Sequence, residues 1–120
     1  MTEKGLRVAE YLEHIARAIG RIVRYTKGMT EAQFCANEMA QDAVIRNIEV
    51  IGEAARNIAR HHPDFAQRHQ DVPWEDIYVM RNRVAHGYFS IDLEIVWRTM
   101  QRDLPALERD VLRLRHETGA

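Results

Sequence analysis

The sequence predicts an all-α fold, an up-and-down bundle of four to five helices, on three observations. Apolar residues recur at steps of three and four through most of the chain, which places them on one face of a 3.6-residue helix. Helix-capping residues stand just before these stretches. No segment alternates apolar and polar residues over a useful length, and no Asn-Gly or Asp-Gly hairpin turn occurs.

The elements follow in order. Val8, Leu12, Ile15, Ile19 and Ile22 form the first stripe and predict a helix from about residue 4 to 26. Thr30-Glu31-Ala32-Gln33 reads as a capping box, in which the threonine hydroxyl and the glutamine amide satisfy backbone N–H groups, so a second helix opens near Glu31. Val44, Ile48, Ile51, Ala55 and Ile58 continue the pattern until Pro63 forbids it, and a break near Asn37 stays open. Residues 61–72 lack sustained periodicity and read as a loop. Pro73 suits a helix's first turn, Glu75 and Asp76 favour its positive end, and this helix is expected to reach His86 and stop at Gly87. Ser90 or Asp92 caps the last helix, whose apolar row Leu93, Val96, Met100, Leu104, Leu107, Val111 and Leu114 passes through Pro105, where a kink is expected.

Length and composition fit one domain over residues 1–120, with its core over about 4–115. Seventeen basic against eighteen acidic side chains give a net charge of −1, so affinity for nucleic acid has to come from a local patch. One cysteine, Cys35, cannot form an internal disulfide, and no secretory signal or run of roughly 20 apolar residues is present. A soluble protein of the reducing cytoplasm is expected.

The candidate chemistry lies at residues 81–88, Arg-Asn-Arg-Val-Ala-His-Gly-Tyr. On a helical wheel Ile77 and Met80 lie within about 40° of Val84 and make the core stripe, while Asn82 and His86, four apart, fall opposite. Arg81 sits at the edge between the two faces. Cleaving RNA without a metal needs one group to take the 2′-hydroxyl proton, one to protonate the leaving 5′-oxygen, and positive charge on the phosphorane. Histidine and arginine supply these functions, and the negative end of the helix dipole favours a protonated His86. Spacing alone does not single this site out, because Arg56 to His61 repeats the Arg-Asn-x3-His arrangement and Arg109 to His116 fits a looser gap.

His61, His62 and His69 lack acidic or cysteine partners at ligand spacing, and none of the six histidines has a glutamate three residues before it. No metal and no cofactor is therefore expected. Trp74 and Trp97 are read as core rather than as stacking platforms for bases. Arg46 and Glu53, seven apart, share one face of the long helix, either paired across a dimer or facing water.

The octapeptide resembles the Arg-x4-6-His signature of the HEPN superfamily of ribonucleases, and its x-Tyr extension resembles the HepT branch. Ile51-Gly52-Glu53-Ala54-Ala55, Pro73-Trp74-Glu75-Asp76-Ile77, Tyr88-Phe89-Ser90-Ile91-Asp92, and Val96-Trp97 through Asp103-Leu104-Pro105 are similar to HepT segments in the same order, over about residues 4–115. His61, followed by His62-Pro63, departs from the signature. The resemblance implies a HEPN-like bundle and the toxin half of a toxin–antitoxin system, an endoribonuclease with Arg81 and His86 catalytic and Asn82 the polar residue after the arginine. It implies a homodimer whose signature helices meet across a cleft, supplying two histidines. It also implies a nucleotidyltransferase antitoxin that silences the toxin by transferring AMP to Tyr88. The other reading of the same residues is a non-catalytic helical module that binds a nucleotide or a nucleotidyltransferase partner.

Overall fold

The structure, a computed structural model, describes residues 6–84 and 92–118, and only the backbone of residues 81, 83 and 84. Every regular element among the described residues is helical, as the periodicity requires.

Helix α1 spans Val8–Tyr25 and buries Tyr11, Leu12, Ile15, Ala18, Ile19 and Ile22. Its first turn is closed by Glu10, whose Oε1 accepts from the Arg7 backbone N–H at 2.9 Å. That hydrogen bond holds the Glu10 carboxyl below its usual range. At the other end the Thr26 hydroxyl donates to Ile22 O at 2.7 Å, and the chain turns through Gly28 at φ 77°, where an L side chain would be strained.

The capping box forms as expected: Gln33 N donates to Thr30 Oγ1 at 3.1 Å and Thr30 N to Gln33 Oε1 at 2.9 Å. The helix it opens, α2, covers only Glu31–Cys35, held down by fully buried Phe34. The break near Asn37 is real. Asn37 caps α3 by accepting from Ala40 N at 3.0 Å, and the Gln41 amide reaches back across the gap to Phe34 O and Cys35 O, both at 3.0 Å.

Helix α3, Glu38–His61, is central, with α1 and α5 packed against it. It therefore buries Val44, Ile45, Ile48, Ile51, Ala54, Ala55 and Ile58, a wider arc than one stripe. The expected loop at 61–72 is partly helical: Pro63 ends α3 and then serves as a first-turn residue of α4, Pro63–Arg68. Phe65 and Val72 anchor this segment in the core.

Helix α5 spans Trp74–Val84 and buries Trp74, Ile77 and Met80. Its expected stop at Gly87 lies outside the described residues, as does the Ser90 alternative for the next cap. Asp92 fills that role, accepting from Glu94 N and Ile95 N at 3.1 and 3.3 Å. Helix α6, Leu93–Arg98, passes through a π-helical turn at Thr99–Asp103 into α7, Leu104–Glu117. The distortion expected at Pro105 thus takes the form of a wide turn that ends two residues earlier, at Asp103. Proline lacks an N–H and its ring crowds the carbonyl four residues back, which is Gln101 inside that turn.

The buried residues of all these helices form one hydrophobic cluster. Trp74 belongs to it, and partly buried Trp97 packs on it with its ring 5.6 Å from Phe34, so both tryptophans are structural as expected.

Candidate functional site

Helix α5 carries the candidate site and is fixed from one side by the core and from another by a specific polar contact. Ile77 and Met80 are 6% and 4% exposed, as the wheel predicts, while Asn82 is exposed. Tyr78, one turn before Asn82, meets α3: the Arg56 guanidinium donates from Nη1 to Tyr78 Oη at 3.0 Å and lies 4.9 Å from the ring centre. Sequence spacing gave no sign of this pair, which joins residues 22 apart. The place of Tyr78 off the core stripe of α5, where it is half-buried, was the only available hint.

Arg81 lies in the last described turn of α5, with its side chain outside the description. His86 and Tyr88 lie outside the described residues altogether. Of the expected site, the structure therefore positions the helical platform and the exposed Asn82.

The two rival Arg–His spacings meet different surroundings. Arg56 is engaged by Tyr78, and His61 is half-buried at the end of α3. The interval from Arg109 to His116 contains Arg113, which faces Asp71 at 2.6 Å, Asp110 at 3.4 Å and Glu117 at 3.5 Å. Partial desolvation disfavours the Arg113 charge, but the hydrogen bond to Asp110 and the charge of Asp71 outweigh it and raise the pKa. A phosphate would have to displace those carboxylates.

Beneath α5 a groove of about 430 Å³ is lined by Asp76, Met80, Arg102, Asp103 and Asp110 among others. Among the described side chains it holds three carboxylates and one guanidinium, a balance unfavourable to a polyanion.

The remaining candidates resolve individually. His62 Nε2 lies 2.7 Å from Leu6 O. His69 is half-buried: its side chain is 17% exposed, packs at 4.5 Å on Phe65 and lies 3.7 Å from Glu117. Among the described residues no group of three or more His, Cys, Asp or Glu side chains is arranged to hold a metal ion. Arg46 is exposed and faces Glu49 at 3.8 Å within its own helix, and Glu53 is also exposed.

A family profile described as ribonuclease HepT-like matches residues 15–114. Among curated proteins, "Probable ribonuclease HepT" of Thermococcus cleftensis is 38% identical over 106 residues, covering 88% of this chain and 94% of that protein. "Putative RNase" of Caldanaerobacter subterraneus is 34% identical over 101 residues, 84% of this chain and 88% of its own. A Methanocaldococcus jannaschii protein named "Gamma-glutamylcyclotransferase and putative RNase" is 37% identical over 107 residues, 89% of this chain, and the chain spans about half of its length, 47%. No solved structure matches significantly.

Proposed function

This chain belongs to the ribonuclease HepT-like family, and from that membership we propose that it is a metal-independent endoribonuclease acting as the toxin of a toxin–antitoxin pair. The observation that carries the reading is the position of residues 81–88: they lie within the matched stretch and begin on a helix locked to the core, where Asn82 is exposed.

The chemistry follows from the side chains available. The 2′-oxygen of a ribose attacks the adjacent phosphorus as its proton passes to an imidazole; the 5′-oxygen leaves as it takes a proton from an imidazolium. The products are a 2′,3′-cyclic phosphate and a 5′-hydroxyl. Arg81 compensates the charge of the phosphorane, and Asn82, exposed beside it, orients the phosphate by hydrogen bonding. Each chain contributes a single histidine, His86, at this site, so two subunits meeting through α5 supply the acid and the base. The working unit is a homodimer.

The decisive experiment is RNA cleavage in EDTA by the purified protein and by its His86→Ala variant. Wild-type cleavage in the chelator and a loss of at least about 100-fold in the variant are expected. Cleavage that depends on added metal, or that survives the substitution, refutes the mechanism.

Regulation is assigned to Tyr88. A nucleotidyltransferase antitoxin joins the Tyr88 oxygen to the α-phosphorus of ATP and releases pyrophosphate, leaving a bulky anion two residues from His86 that competes with substrate phosphate. Co-expression with the cognate nucleotidyltransferase is expected to add the mass of AMP to the peptide containing Tyr88, and an unmodified peptide in a neutralised pair rules this out. Such a system operates in the cytoplasm. The exposed, unpaired Cys35 accords with a reducing compartment, and no described helix is long and apolar enough to cross a membrane.

A further inference from the structure

We infer that the outer face of α1, from Arg17 to Lys27, binds the sugar–phosphate backbone of RNA away from the cleavage site; the choice of RNA rests on the ribonuclease reading.

The chain as a whole is nearly neutral, with seventeen basic and eighteen acidic residues, yet residues 14–30 hold Arg17, Arg21, Arg24 and Lys27 and not one Asp or Glu. The three arginines follow steps of four and three, which puts them within about 60° of one another on the helix and about 4.5–6 Å apart along its axis. All four basic side chains are exposed. The opposite face of α1 is sealed into the core by Ile15, Ile19 and Ile22, each at most 1% exposed, so the row of charge is held on a rigid support.

The nearest acid does not cancel the row. Glu13 is shared between two guanidiniums, with Oε2 2.9 Å from Arg17 Nε and Oε1 2.9 Å from Arg115 Nη2. Among the described residues no carboxylate pairs with Arg21, Arg24 or Lys27; Arg24 instead lies 5.7 Å from the ring centre of Tyr25, which is 43% exposed. A guanidinium ladder with an exposed aromatic at one end matches a single strand, whose phosphates accept forked hydrogen bonds and whose bases stack on a ring. Glu108 lines the groove that Lys27 also borders, at the last residue of the row.

Topology aligns this face with the cleavage site. The start of α1 lies against the end of α3, since Tyr11 and His62 are 6.2 Å apart. The start of α5 also lies at that end, where Trp74 is 6.2 Å from Phe65. Both α1 and α5 therefore run antiparallel to α3, and the basic row and Arg81 lie toward the same end of the bundle.

The test measures binding of a fluorescent 2′-O-methyl RNA of about 16 nucleotides, which lacks the attacking hydroxyl and so stays intact on the wild-type protein. The double variant Arg21→Glu/Arg24→Glu is expected to bind at least about tenfold more weakly, and Arg21→Gln/Arg24→Gln, which holds the fold should reversal disturb it, to lower the slope of log K against log salt by about 1.4, or about 0.7 per lost phosphate contact. The control Arg60→Glu/Arg109→Glu, the same charge change at exposed sites off the row, is expected to bind near the wild-type level. Equal losses in both pairs, no loss in either, wild-type protein that does not bind the probe, or polyglutamate bound as tightly as RNA would each overturn the proposal. Cleavage assays separate it from the nuclease reading. A chain that binds through the row but cuts no RNA defeats the nuclease reading alone, whereas unchanged kcat/KM on unmodified RNA after reversal of the row defeats this one alone.

Discussion

Arg56 shows how a residue's partner overrides its spacing. It begins an Arg-Asn-x3-His run equivalent to that of Arg81, yet it is spent on Tyr78, where one guanidinium serves both the hydroxyl and the ring. Tyr78 stands one turn before Asn82 on the same side of α5, so the contact sets the azimuth at which Asn82 is presented. Tyr78→Phe keeps the ring and removes the hydroxyl, and is expected to cost about 1 kcal/mol in urea unfolding. RNA cleavage is expected to fall with it, as turnover more than as KM, because the platform loosens while the phosphate-binding groups remain. An unfolding curve that superimposes on wild type, with unchanged turnover, removes Arg56 from any positioning role. The sequence could not reveal this, because helical periodicity reports which face of one helix is apolar and carries nothing about which polar group on another helix will meet it. Resemblance separated the Arg81 signature from its two imitators, and the structure supplies a physical reason for the rejection, since the Arg56 guanidinium is already occupied and the interval from Arg109 to His116 is crowded by carboxylates.

The helices themselves were legible wherever a stripe lasted two turns or more. Every residue expected on the α1 stripe except Val8, which is half-buried, is buried, and the stripes of α3 and α7 hold likewise. Short elements were less readable. Helix α4 is anchored by buried Phe65 with Ala66 partly buried beside it, and two adjacent apolar residues in six establish no period. The break before α3 stayed undecided because the apolar pattern does not report where one helix yields to the next; the Asn37 side chain does, by taking Ala40 N. Asn37→Ala is expected to cost about 1 kcal/mol by thermal or urea unfolding. Full stability in that variant would mean that Gln41, bridging back to Phe34 and Cys35, holds the junction unaided.

Across the whole molecule, stability and charge are distributed differently. The core centres on α3, which both α1 and α5 flank, and Ile48 in its middle is 0% exposed. Ile48→Ala is expected to cost about 2–5 kcal/mol, and a loss below about 1 kcal/mol would show that the helices around α3 can collapse onto the vacated space. Charge instead sits at the periphery, basic along the outside of α1 and acidic in the groove between α5 and α7, a polarity hidden by the net figure of −1. The π-helical turn at Thr99–Asp103 governs how the last quarter of the chain joins this plan. It lets one unbroken rod from Leu93 to Glu117 aim its apolar row first at α2 and α5 and then, on a new bearing, at α1. Excising a single residue there would swing the final 14-residue segment by about 100°, turning Leu107, Val111 and Leu114 toward water and detaching the rod from its second neighbour.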